Sequence, residues 1–136
     1  MSDTRQNLSP KQTLLLILIP LLVTFGCQRL SLHLAGVRHL HPGGYLVHHL
    51  FIGVVIVIPA AFLLAFGPRD RRLAVSARVA LGSGSAMVLD EIVYLVATKA
   101  TDEDYVSRVS LWGAVGFISL AVLLLLILYK FLRHED

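Results

Sequence analysis

Two short stretches hold the residue types that could do chemistry. Residues 39–50 read HLHPGGYLVHHL, and residues 88–94 read VLDEIVY. His39 and His41 stand beside Pro42-Gly43-Gly44, with His48 and His49 a few residues on, and Asp90 and Glu91 are adjacent in the second stretch. Imidazole and carboxylate together suit a first coordination shell for Zn²⁺, Fe²⁺ or Mn²⁺. The candidate metal ligands are therefore His48, His49, Asp90, Glu91 and His41. On a continuous helix the side chains of His48 and His49 diverge by about 100°. One histidine would then face the carboxylates, and the other would meet a neighbouring helix, the joint or a second metal. The Pro-Gly-Gly turn would let His39 and His41 fold back over the site as a lid. Arg29, His33, Tyr94 and Arg108 are the groups placed to support it. An Arg29–Asp90 or Arg108–Glu91 ion pair is the structural alternative, and it accounts for the carboxylates but not for the histidine pair.

The elements that must position these groups are membrane helices. Hydrophobic residues make up 56% of the 136-residue chain and charged residues 15%, and the mean hydropathy is +0.74. A chain this short buries too little surface to hide so much apolar material in a soluble core. A spanning helix needs about 20 mostly apolar residues. Four segments qualify, at about Thr13–Leu34, Tyr45–Phe66, Leu73–Ala97 and Val106–Leu132. The expected fold is all-α: one polytopic domain over residues 1–136, built as an antiparallel four-helix transmembrane bundle, because the joints are short. Pro20 and Pro59 fall inside apolar runs, where membrane helices tolerate them.

Composition narrows the function classes. The single cysteine, Cys27, excludes an intrachain disulfide framework and a Cys-rich zinc site. "VTFGC" before it is a poor lipoprotein signal, with Thr24 and Phe25 in the wrong places, so the segment reads as an uncleaved spanning helix. The net charge of +3 does not indicate nucleic acid, because the basic residues sit at the ends of apolar segments. Arg5 and Lys11, then Arg69, Arg71 and Arg72, then Lys130 and Arg133 all fall on one side of an up-down bundle. That side is expected to be cytoplasmic, with both termini there. The histidine joint and the "TDED" joint then face outward.

With this orientation every helix brings polar groups to the outer half of the membrane. Helix one carries Gln28, Arg29 and His33; helix two His48 and His49; helix three Asp90 and Glu91; helix four Arg108 and Trp112. Apart from Arg78, the inner half is hydrocarbon. Ionisable groups inside a membrane are functional hypotheses by default. For His39 and His134 the reading is interfacial hydrogen bonding with headgroups and water. "ALGSGSA" (residues 80–86), Gly113 and Gly116 read as small-residue faces for close helix packing. Tyr45, Tyr94, Tyr105 and Trp112 read as an aromatic belt.

"HPGGYLVHHLFIG" resembles the "HIHH…G" segment of small uncharacterised bacterial four-helix integral membrane proteins. "GSGSAMVLDEIVYL", with the acidic joint and Asp104-Tyr105, resembles their "LxLDE" segment. The resemblance implies a shared architecture and a shared polar site at His48, His49, Asp90 and Glu91. It implies a bacterial cytoplasmic membrane, and no activity. Pro-Gly-Gly and Tyr45 widen the spacing between His41 and His48 beyond the family pattern.

Several uses remain open on these residues. One is a divalent-metal site that hydrolyses or oxidises a lipid-like substrate, with metal-bound water as the nucleophile. Another is a non-catalytic metal sensor or carrier. A third is a structural or accessory subunit with a proton-linked ion-pair network. A haem held by His33 and His48 or His49 leaves the carboxylates without a role. Membrane lipids are the expected partners, with a second copy or a membrane protein as further candidates.

Overall fold

A computed structural model describes residues 8–36 and 47–133. The described residues are all-helical: α1 (Pro10–Ala35), α2 (His49–Ala65), α3 (Arg71–Ala97), α4 (Asp102–Tyr105) and α5 (Arg108–Arg133). Local chemistry sets several of the ends. Ser9 and Gln12 form a reciprocal capping box before α1, with Pro10 in the first turn, where its missing N–H costs nothing. Gly36 closes that helix at φ 72°, a conformation that favours glycine. Asp70 caps α3 by accepting from the Arg72 N–H at 2.7 Å. α1 and α2 continue through Pro20 and Pro59.

Three helices, α1, α3 and α5, are long and apolar enough to cross a membrane. α2 is apolar too but has 17 residues, roughly 25 Å at about 1.5 Å per residue. The sequence places the start of this helix near Tyr45, whereas it begins at His49. The physical reason lies at the site described below, where α3 supplies the cap. The joint before the last helix also differs from expectation, because residues 102–105 form α4.

α3 is the centre of the packing. It touches α1, α2 and α5; α1 and α5 also touch each other; α2 packs against α3 alone among the described elements. Glycines bring the backbones close. A Cβ on Gly82 would collide with the Ile17 carbonyl of α1. One on Gly84 would lie 2.9 Å from the Gly53 carbonyl oxygen of α2, and one on Gly53 would lie 2.6 Å from the Gly84 carbonyl oxygen. Gly82 and Gly84, two residues apart, therefore serve opposite neighbours. Gly113 makes room for the Val93 side chain of α3, whereas Gly116 faces open space, so only the first of these two glycines permits a close approach. The small-residue stretch on α3 is thus a packing device, as its composition indicates.

The described apolar core is small. Leu21, Ala86 and Ile118 join α1, α3 and α5 in one cluster; Leu32, Tyr94 and Tyr105 form another at the α4 end. Large apolar side chains such as Val55, Phe62, Leu120 and Phe131 are exposed. An outward apolar face of this extent suits hydrocarbon rather than water.

Candidate functional site: a buried ion-pair network

Asp90 and Glu91 are adjacent in sequence and buried, at 0% and 2% exposure, yet they serve different neighbours. Successive helical residues diverge by about 100°. Asp90 therefore turns toward α1 and Glu91 toward α2.

Arg29 of α1 meets Asp90, and its Nε donates to Asp90 Oδ1 at 2.6 Å. Nη1 donates to the Tyr105 carbonyl at 3.2 Å. Nη2 faces the Asp90 carbonyl at 3.2 Å, the Ser110 carbonyl at 3.3 Å and Ser110 Oγ at 3.2 Å. One buried guanidinium thus ties α1 to α3, α4 and the first turn of α5. The second oxygen of Asp90 accepts from the Tyr105 hydroxyl at 3.0 Å. The guanidinium carbon also lies 5.5 Å from the Tyr105 ring centroid, a cation–π contact. Both oxygens of Asp90 are thus engaged, one by Arg29 and one by Tyr105.

α4 exists in a form that delivers Tyr105. Thr101 and Asp104 cap it reciprocally, and Asp102, Glu103 and Asp104 place negative charge at its N-terminus, where the helix dipole favours it. The turn ends with Tyr105 over the Arg29–Asp90 pair, 3% exposed. Burial, then the Asp90 charge, pushes the Tyr105 phenol well above its usual range. Tyr94 stacks on it with ring centroids 4.6 Å apart and donates to the Ala100 carbonyl at 2.8 Å.

Glu91 holds the start of α2. Oε2 accepts from the Leu50 N–H at 2.7 Å. His48, the N-cap residue, makes no side-chain cap bond, so a carboxylate from another helix performs that task. It brings negative charge to the positive end of the α2 dipole. The Nδ1 atoms of His49 and His48 lie 3.4 Å and 3.9 Å from the other oxygen, Oε1. The expected divergence of the histidines is therefore corrected. His48 has extended backbone and His49 is the first helical residue, so both rings can turn to one carboxylate. The His48 ring also sits 6.1 Å from Tyr94, which links the two halves of the network.

The remaining candidates separate. His33 and Arg108 are exposed. Arg108 makes no ion pair with Glu91, and His33 lies on a helix that does not touch α2 among the described residues. His39, His41 and His134 lie outside the described residues. Among the described residues no group of three or more His, Cys, Asp or Glu side chains is gathered for a metal ion. Ser110 is not among the residues the sequence singles out, and Tyr105 reads there only as a belt residue. Their signal was the need of a buried guanidinium for several acceptors, which no single carboxylate fills. Tyr105 leaves the aromatic belt to join the core, whereas Trp112 is exposed as a belt residue should be. No family model, curated protein or solved structure matches this chain.

Proposed function

We propose that the chain is a structural or accessory subunit of the bacterial cytoplasmic membrane. In this reading four helices cross as an antiparallel bundle, with both termini cytoplasmic and the polar network in the extracytoplasmic half. The contact order supports the up-down arrangement. Ile17 and Arg29 on α1 lie against Gly82 and Asp90, ascending together. On α2, His49 lies against Glu91 and Val57 against Gly84, in opposite order. On α5, Gly113 lies by Val93 and Ile118 by Ala86, again in opposite order.

The observation that carries the functional reading is the division of Glu91 between a backbone N–H and two imidazoles. The Arg29–Asp90–Tyr105 part is a lock that aligns three elements. The Glu91–His49 contact is its proton-sensitive end. An imidazolium attracts Glu91 by its charge, whereas a neutral ring offers at most one N–H hydrogen bond. The contact therefore tightens on acidification through the range where histidine titrates, about pH 5–8, and fixes the start of α2 more firmly.

The test is thermal unfolding of the detergent-purified protein across that pH range, beside elemental analysis of the same samples. Wild type should gain stability toward pH 5, and His48→Gln/His49→Gln should lose most of that gain. Stoichiometric Zn, Fe or Mn, lost in His48→Ala/His49→Ala and in Glu91→Ala, would replace this reading with a metal site. A flat wild-type profile would remove the proton linkage.

A further inference from the structure

The network leaves the opposite end of the molecule unused, and that end is strongly basic. Arg69, Arg71 and Arg72 stand at the start of α3, and Lys130 and Arg133 in the last turn of α5. The α3–α5 pairing runs from Val93–Gly113 to Ala86–Ile118. Continued at the same rise per residue, it brings Lys130 and Arg133 to the level of Arg71–Val75. Ile17 lies against Gly82, so Lys11, six residues earlier, falls at the level of Ser76. Six cations from three helices and a joint thus share one rim. None of them is paired with a carboxylate among the described residues. Asp70, the acid among them, is occupied as the α3 cap.

The rim also has a shape. A concavity of about 610 Å³ opens there, lined by Asp70, Arg71, Arg72, Val75 and Ser76. Guanidinium forks match phosphate oxygens bidentately, and a serine hydroxyl adds a neutral donor. Exposed Leu73 and Phe131 flank the same level and offer apolar surface beside the charges. Phosphate recognition with hydrocarbon immediately beneath is the chemistry of a phospholipid headgroup at a membrane surface.

We propose that this rim binds the phosphate of an anionic phospholipid, with Arg71, Arg72 and Ser76 as its donors and Lys130 and Arg133 completing the positive field. The proposal rests on the membrane reading above but not on the proton-linked network. It is tested on the full chain in detergent by titrating phosphatidylglycerol, phosphatidylcholine or inorganic phosphate and following the melting temperature. Phosphatidylglycerol should raise it, phosphatidylcholine and inorganic phosphate should not, and added salt should weaken the effect. Each cation near such a surface contributes roughly fivefold in affinity. Arg71→Gln/Arg72→Gln should therefore bind phosphatidylglycerol roughly 25-fold more weakly. Lys130→Gln/Arg133→Gln, which leaves the α3 start intact, keeps the test informative if the first variant folds poorly, and should also bind more weakly. Equal responses to both lipids would overturn the proposal, as would unchanged affinity in both variants. A response to inorganic phosphate alone would assign the site to a free anion and overturn the lipid. Release of the chain from membranes by alkaline carbonate would instead overturn the membrane reading itself.

Discussion

At the residue scale, the ion pair between Arg29 and Asp90 is the interaction with the largest expected consequence. Two charges removed from water gain little net stability over a well-packed apolar pair, but one left without its partner is costly. Asp90→Ala leaves a buried guanidinium with neutral partners only, the carbonyls of residues 90, 105 and 110 and the Ser110 hydroxyl. It should destabilise the protein by roughly 3–5 kcal/mol in detergent unfolding. Arg29→Met/Asp90→Leu should cost clearly less than the sum of its single variants, and a double-mutant cycle measures the difference. Tyr105 makes a separate prediction. Its phenol is raised in the folded protein by burial and by Asp90. A raised folded value means stability that is complete below the unfolded value, about pH 10, and lost as pH rises above it. Ultraviolet titration should therefore show a tyrosine fraction that ionises only on unfolding. That fraction should shrink in Tyr105→Phe. The histidine pair was visible in the sequence at once, but its geometry was not, because convergence on Glu91 depends on His48 lying outside the helix.

At the scale of elements, α3 acts as a divider. Its step of about 100° sends Asp90 to α1 and Glu91 to α2, and the two-residue step of about 200° sends Gly82 and Gly84 to those two neighbours. The close approach of α2 rests on Gly53 and Gly84. Gly53→Ala would place a methyl 2.6 Å from the Gly84 carbonyl oxygen and 2.9 Å from Met87 Cβ. Overpacking of this kind costs roughly 1–3 kcal/mol, and α2 has no other described neighbour to hold it. Amide exchange over residues 50–57 should accelerate more than over α1. The α2 cap predicts a graded result at Glu91. Glu91→Gln keeps an oxygen for the Leu50 N–H, whereas Glu91→Ala removes it, at about 1 kcal/mol for a lost N-cap. Exchange at Leu50 and Phe51 should rank alanine above glutamine above wild type.

At the scale of the whole molecule, the expected orientation can be read with a reporter enzyme that is active only outside the cytoplasm. Fusion after Glu103 should be active; fusions after Arg69 and at the C-terminus should be inactive. The opposite pattern would invert the bundle and place the basic rim outside. The helical, apolar character of the chain follows from a one-dimensional fact: runs of hydrocarbon side chains about 20 residues long. That property is local, so the order of residues is enough to establish it. The partners of Asp90 and Glu91, the start of α2 and the place of Tyr105 follow from how far each helix is rotated against its neighbour. That rotation is settled by contacts between residues distant in the chain, such as the bond from Leu50 to Glu91, 41 positions away. Hydrophobic periodicity carries little of it, because lipid-facing and core-facing sides of these helices are nearly equally apolar. The polar groups that break the symmetry choose their partners only once the helices have met.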